Sequence, residues 1–174
     1  MSESQLDAIL AQHQFRDDDI VDVEEPTVKL VIFKLGEHSF AFVGAAIREV
    51  LPGNEPVFFV PGMPASVEGV MNVRGDIESV IRLHTLLNLA GNQEVKKTPS
   101  ASILLGAGAG MHSGLRVDQL IDVVDVPQSQ IQATPETLPE SLRPFVDGLL
   151  EFRGLAVAVL DLDKLFTAWQ RGQG

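Results

Sequence analysis

The sequence predicts an all-β protein made of two similar small lobes of about five strands each, with short helices and a C-terminal helix. Three observations carry this prediction. Short apolar runs are separated by glycine- or proline-containing turns, one stretch of strands occurs twice, and an amphipathic pattern closes the chain. With 174 residues, 45% of them hydrophobic, the chain can bury a core that both lobes share.

Short runs rich in β-branched and aromatic residues are predicted as strands because turn residues bound each of them. The first two runs meet across Gly36-Glu37, a two-residue hairpin turn of the kind that begins with glycine. The predicted strands are 28–35, 38–43, 47–51, 69–73, 77–81, 102–106, 114–117, 121–126, 148–152 and 155–160.

An internal repeat predicts the two-lobed architecture. The segment GVMNVRGDIESVIRLHTLL (69–87) aligns without a gap with GLLEFRGLAVAVLDLDKLF (148–166), and residues 40–52 share the rhythm of residues 115–127. The identical pairs are Gly69/Gly148, Arg74/Arg153, Gly75/Gly154, Val80/Val159, Leu83/Leu162 and Leu86/Leu165. One copy cannot bury both faces of its strands, so two copies are expected to pack together as small barrels.

Two segments are predicted as helices. Residues 83–89 are short and closed by Gly91, whereas residues 161–171 follow an Asp161 cap and carry an apolar stripe at helical spacing. The stripe consists of Leu162, Leu165, Phe166 and Trp169.

The N-terminal 26 residues differ from the rest of the chain. They hold eight acidic residues against one arginine, so most of the net charge of −11 lies there. Leu6, Ile9 and Leu10 favour a short amphipathic helix followed by a flexible acidic tether, and a mostly disordered extension is an equal alternative. Residues 27–174 are expected to form one domain of two intertwined lobes.

The charge balance argues against nucleic acids and anionic membranes as partners. The pI is about 4.6, whereas both ligands are bound mainly through lysine and arginine. The absence of cysteine excludes disulfides, thiolate metal sites and cysteine nucleophiles. No apolar run reaches transmembrane length and the acidic start lacks signal-peptide features, so a cytoplasmic location is expected.

Residues that could carry catalysis or hold a metal form no recognised pattern. The histidines are His13, His38, His84 and His112. None has a ligand partner at metal-binding spacing, so no metal or other cofactor is expected, and each histidine is assigned to the surface or a turn. The acids Glu68, Asp76 and Glu78 lie close in sequence, but strand alternation places Asp76 and Glu78 on one solvent face. Because no catalytic or metal-binding pattern is present, the sequence predicts a binding protein. A small β-fold enzyme that uses Glu68, Asp76 or Glu78 is the alternative.

Several segments, taken in order, carry a resemblance to a known family. They are VIFKLGEHSFAF, AAIREVLP, PGMPASVEGVMNVRG, VIRLHTLL, RVDQLIDVVDVP and DGLLEFRGLAVAVLDLDKLF. Over about residues 28–168 they resemble the CheW-like coupling domain of bacterial chemosensory systems. The resemblance implies two five-stranded SH3-like barrels. It also implies a non-catalytic adaptor that joins chemoreceptor cytoplasmic tips to the regulatory domain of a CheA-type histidine kinase, at arrays on the inner face of the membrane.

The resemblance also implies which residues bind partners. They are Ile47, Arg48, Glu49, Asn72, Arg74 and Gly75. The first three match the receptor-facing stretch, and the last three match a block needed for coupling. Turn chemistry is one interpretation of arginine before glycine in both copies of the repeat, because glycine takes a positive φ and a long cation can extend from the strand end, and a binding arginine is the other. By resemblance Arg74 is expected to be functional as well, whereas Arg153 keeps the turn interpretation.

The chain departs from the family pattern at one place. Where the family has proline and then V-x-D-L-R, this sequence has Ser79, then Arg82 in place of the acid and His84 in place of the arginine. Inverting a charge changes what can pair there. The alternative function is therefore a divergent CheW-like scaffold in a non-motility pathway with a different partner.

Overall fold

A computed structural model describes residues 25–89 and 101–172 of the protein. The predicted amphipathic helix and most of the acidic extension lie outside these residues, as does Gly91. The strands are β1 (Thr27–Leu35), β2 (His38–Val43), β3 (Ile47–Pro52), β4 (Val67–Val73), β5 (Asp76–Arg82), β6 (Ser102–Gly108), β7 (Met111–Val117), β8 (Gln119–Pro127), β9 (Val146–Phe152) and β10 (Leu155–Leu160). Every predicted strand is confirmed, several with one to three extra residues.

The strands of the described part form two five-stranded sheets. Lobe one has the order β8-β1-β2-β10-β9 and lobe two the order β3-β6-β7-β5-β4. The two lobes are intertwined, because the β1–β2 hairpin pairs with strands from the second half of the chain. One parallel pair in each lobe makes this junction, β2 with β10 and β5 with β7. Neither half of the repeat can therefore fold as a complete lobe.

The interior consists of one core inside each lobe and a larger core that contacts both. Alternate residues of β1 face opposite sides: Ile32 lies inside lobe one, whereas Phe33 joins the shared core. The shared core contains Phe33, Phe40, Phe42, Ile81, Leu104, Leu115, Leu165 and Phe166, among others. Burial on both faces explains why β1 reads as a continuous apolar run instead of an alternating one.

Two helices follow the repeated strand pairs. Helix α1 (Leu83–Leu86) is shorter than predicted, since Asn88 adopts a left-handed backbone with φ of 56° and ends it before Gly91. Helix α2 (Leu162–Gly172) agrees with the prediction, and the Asp161 carboxylate accepts a hydrogen bond from the Lys164 amide at 3.1 Å. Leu162, Leu165 and Phe166 of α2 are buried in the shared core.

The arginine–glycine turns have the geometry that the sequence predicts. Arg74 and Gly75 have φ of 49° and 94°, and Arg153 and Gly154 have φ of 52° and 81°. Positive φ at both central residues is typical of type I′ hairpins. Glycine adopts this conformation freely, whereas arginine at the first position is unusual.

A buried ion pair distinguishes lobe two from lobe one. Arg116 is 1% exposed, and its Nε and Nη2 each donate to the Glu68 carboxylate at 2.9 Å, while Nη1 donates to the Gly53 carbonyl at 2.8 Å. Glu68 is thus fully engaged in holding Arg116. In the repeat, Asp147 takes the place of Glu68 and Ala41 that of Arg116.

Glu68→Ala is expected to lower the free energy of unfolding by about 3–5 kcal/mol, because it leaves the buried Arg116 guanidinium without its carboxylate partner. Urea denaturation measures the loss. Asp125→Ala is the control: it removes an exposed ion pair with Lys29 and should cost less than about 1 kcal/mol. Equal losses for the two variants would contradict the assignment of Glu68 as a structural partner.

Candidate protein-binding site

The receptor-facing stretch of the sequence prediction forms the start of β3. A short 3-10 turn, Gly44–Ala46, leads into the strand. The pairing of β3 with β6 shifts register between Ile47 and Glu49, so Arg48 is an extra residue in the strand. Ile47 packs against the shared core, whereas Arg48 projects with 52% of its side chain exposed. The bulge therefore turns a cation outward at the beginning of an otherwise packed strand.

The coupling block forms the β4–β5 hairpin. Val73 pairs with Asp76, which leaves Arg74 and Gly75 as the two turn residues. The Asn72 side-chain oxygen accepts a hydrogen bond from the Gly75 amide at 2.9 Å and fixes the turn. The side chain of Arg74 is 70% exposed. Asn72 and Gly75 thus fix the backbone of the turn, and the Arg74 side chain extends from this turn into solvent.

A two-point ion pair joins these two segments. The Nη1 of Arg74 donates to Glu49 Oε2 at 3.1 Å, and Nη2 donates to the other carboxylate oxygen. This hydrogen bonding from Arg74 lowers the pKa of Glu49, and the same contact raises the pKa of Arg74. Because the Glu49 pKa is lowered, the pair is complete above the ordinary pKa of a glutamate and is lost as pH falls through the lowered value.

Three further charged or titratable side chains lie beside this ion pair and form a cluster with it. Arg48 Nη2 lies 3.7 Å from Glu78 Oε2, and His112 Nδ1 lies 2.9 Å from Glu78 Oε1. We call Arg48, Glu49, Arg74, Glu78 and His112 the charged cluster. It draws on β3, the β4–β5 turn, β5 and β7, so residues distant in sequence meet at one surface of lobe two.

The position of Glu78 corrects the sequence analysis. Glu78 was expected on the solvent face of β5, but it is 7% exposed and shares its face with the buried Val80. Ile77, on the opposite face of the strand, is 65% exposed. Asp76 is exposed as expected. Strand alternation places Asp76 and Glu78 on one face, but it does not show where along the strand that face becomes buried.

An apolar surface adjoins the charged cluster. Phe58 forms an isolated bridge with Val70 of β4, and Asn72 pairs with Ile77 of β5. Paired residues point to the same side of a sheet, so Phe58, Asn72 and Ile77 share the outer face. Phe58 is 61% exposed. Exposed apolar side chains beside paired charges are typical of protein-binding surfaces.

Comparison with known proteins identifies the family. A sequence profile described as the CheW-like domain matches residues 29–170. The chain belongs to the CheW-like domain family. The chemotaxis protein CheW of Rhizobium meliloti is 29% identical over 143 residues, which cover 82% of this chain and 90% of that protein. CheW of Treponema pallidum is 26% identical over 148 residues, covering 84% and 86%.

A solved structure supports the same assignment. The scaffolding protein TtCheW from Thermoanaerobacter tengcongensis matches with a TM-score of 0.70 and 25% identity, covering 81% of this chain and 93% of that one. The predicted resemblance and the predicted fold of two five-stranded β lobes are both confirmed. Membership makes this chain a scaffold or coupling protein of the chemotaxis type.

The departures from the family pattern make contacts inside the fold. Arg82 Nη1 donates to the Ala65 carbonyl at 2.8 Å, and the Ser79 hydroxyl lies 2.7 Å from that of Ser113. His84 Nε2 lies 3.2 Å from Asp118 Oδ2, which also accepts from the Gly36 amide at 2.5 Å. These contacts hold loops and strands to one another: Arg82 donates to a backbone carbonyl, and His84 contacts a carboxylate of the same CheW-like chain.

A cleft of about 330 Å³ lies where the lobes meet. Its lining includes Ala46, Ala107 and the carboxylates of Asp147, Asp161 and Asp163. Partial burial raises the pKa of Asp147, and the nearby Asp161 adds to the effect. Within residues 25–89 and 101–172, no group of three or more histidines and acids could hold a metal ion. No helix in that part of the chain is long and apolar enough to cross a membrane.

Two of the cluster residues, Glu78 and His112, were missed by the sequence analysis as candidate site residues. They lie 34 positions apart, and no short motif joins them. A signal existed in the repeat: the position equivalent to Glu78 is Val157, so a charge stands in one copy where the other has an apolar residue. A charge that breaks repeat symmetry indicates a role that only one lobe performs.

Arg74→Asn and Arg153→Asn are each expected to change Tm by less than about 3 °C. Asparagine suits the left-handed first position of a type I′ turn, which compensates for the loss of an exposed ion pair with Glu49 or Asp122. Differential scanning calorimetry checks this. A large loss of stability in either variant would show that the arginine itself holds the hairpin.

Asp147→Asn is expected to raise Tm by about 1–2 °C at pH 7. A carboxyl whose pKa is raised on folding disfavours the folded state when ionised; this penalty fades as pH falls through the raised pKa and is absent below the ordinary aspartate value of 3.8. The effect is small because half of the side chain is exposed. A gain that persists unchanged at pH 3 would contradict this origin.

Proposed function

We propose that this CheW-like protein is a non-catalytic adaptor that couples chemoreceptor cytoplasmic tips to the regulatory domain of a CheA-type histidine kinase. Family membership supports an adaptor of this kind. The observation that carries the proposal is the two-point pairing of Glu49 with Arg74. It joins the stretch that resembles the receptor-facing segment to the block that resembles the coupling segment, so a change at one can act on the other.

The proposed partner contacts divide between the two segments. Ile47, Arg48 and Glu49 face the receptor tip, and Asn72, Arg74 and Gly75 form the coupling block. Individual contacts are expected to be weak, about micromolar, and an array of linked receptors and kinases strengthens them through high effective concentration. The protein would then act in the cytoplasm, at receptor arrays on the inner face of the membrane.

The internal contacts of Arg82 and His84 favour this adaptor over the divergent scaffold. Arg82 donates to a backbone carbonyl and His84 contacts Asp118, so both side chains have partners within the chain and the departures do not by themselves create a new surface for a different partner. In the adaptor role, residues 27–174 bind the partners. The acidic extension is then not required for partner affinity.

Arg74→Asn is expected to weaken binding to the kinase regulatory domain or to the receptor tip at least about tenfold, because it removes the link to Glu49 while keeping the turn. Isothermal titration calorimetry with both partners from the same organism measures this. Arg153→Asn, the same change at the equivalent turn of lobe one, is the matched control and should bind within about twofold of wild type.

The outcomes separate the alternatives. Equal affinities of the two variants for both partners would remove Arg74 from the binding site, and absence of wild-type binding to either partner would reject the adaptor role. Deleting residues 1–24 keeps the contacts of Glu25 with Ser129 and of Pro26 with Gln128. Loss of affinity on this deletion would favour a scaffold that acts through its extension.

A further inference from the structure

Glu78 is a buried carboxylate with two groups that can carry positive charge beside it. Only 8% of its side chain is exposed, and a carboxylate so buried requires charged or hydrogen-bonding partners. Arg48 approaches one oxygen from β3 and His112 approaches the other from β7. One anion is therefore shared between a permanent cation and a residue whose charge depends on pH.

The protonation state of His112 decides how the anion is shared. A carboxylate can only accept, so neutral His112 must carry its proton on Nδ1 to donate to Glu78. In that state Arg48 supplies the one full positive charge of the trio. When His112 is protonated, two cations share one carboxylate and the net charge of the trio rises from zero to plus one.

Arg48 is placed to respond to this change. Its contact with Glu78 is long, at 3.7 Å, and half of its side chain is exposed. The adjacent Glu49 is already held at two points by Arg74. The charged residues on the strands of lobe two around His112 are Arg48 and Glu49 on β3, Glu68 on β4, Arg74 at the β4–β5 turn, Asp76, Glu78 and Arg82 on β5, and Arg116 on β7.

We propose that Glu78 and His112 are positioning residues that set the availability of Arg48 for a carboxylate on the partner protein, and that protonation of His112 releases Arg48 toward that carboxylate. A guanidinium and a carboxylate form strong paired hydrogen bonds, and for this reason the partner group that Arg48 binds is assigned as a carboxylate. The inference rests on the proposed function for the identity of the partner. Glu78 and His112 are not among the residues that the family resemblance assigned.

The arrangement around Arg48 is tested first without any partner. The side-chain Nε–Hε signal of Arg48 is followed by NMR from pH 8 to pH 5.5 in wild type, His112→Gln and His38→Gln. Glutamine can still donate to Glu78 but cannot become charged, and exposed His38 is the matched control. The Arg48 signal should shift between pH 8 and pH 5.5 in wild type and His38→Gln, and should stay constant in His112→Gln.

Binding to the kinase regulatory domain and to the receptor tip is then measured at pH 8 and pH 6. Wild-type affinity for the partner that contacts Arg48 should rise about two- to fivefold on acidification, as expected for one exposed charge pair. The rise should be absent in His112→Gln and in Arg48→Gln. Glu78→Asp should retain part of it and Glu78→Gln none.

Two results would overturn the inference. The first is an Arg48 signal that does not change with pH in wild type, and the second is a signal that shifts as much in His112→Gln as in wild type. A pH-dependent affinity that survives Arg48→Gln would overturn the carboxylate contact. An Arg48 signal that follows His112 with no partner binding at either pH would reject the proposed function while supporting the positioning by Glu78 and His112.

Discussion

The exchange of hairpins between the two halves of the chain is the constraint on which the rest of the structure depends. Strand β2 pairs in parallel with β10, and β5 with β7, so each lobe needs strands from both halves. Each exchanged hairpin must bury one face inside its lobe and the other in the shared core. This double burial fixes β3 beside β6 and the β4–β5 hairpin beside β7, which brings the members of the charged cluster together.

Departures from the repeat show how one lobe acquired its own role. Lobe two holds a buried Arg116 against Glu68, whereas lobe one has Ala41 and leaves Asp147 at the cleft between the lobes. Likewise Glu78 replaces the apolar residue that its repeat partner, Val157, retains. Both turns place arginine before glycine in the same backbone conformation, but Arg74 pairs with Glu49 in the charged cluster, whereas Arg153 pairs with Asp122 of β8 and lies over the Phe152 ring. The two turns thus share one local structure, while their arginines have different neighbours.

The sequence predicted the strands, the paired lobes and the C-terminal helix because local physical chemistry specifies them. Gly36, the Arg74-Gly75 turn and the Asp161 cap act within a few residues, and apolar runs recur with the repeat. The charged cluster was predicted only in part. The resemblance selected Glu49 and Arg74 separately, but their pairing across 25 residues depends on how β3 and the hairpin are placed in the sheet. Glu78 and His112 could not be joined without that geometry, because nothing local distinguishes a buried acid from an exposed one at a strand end.

The central claim is that the charged end of lobe two, and not its equivalent in lobe one, contacts the partner. Hydrogen exchange measured by mass spectrometry on the full chain, with and without the kinase regulatory domain and the receptor tip, tests this most directly. The account predicts that added protection concentrates in residues 47–50 and 72–78 and leaves residues 151–156 unchanged. Protection at 151–156, with none at 47–50 or 72–78, would contradict it.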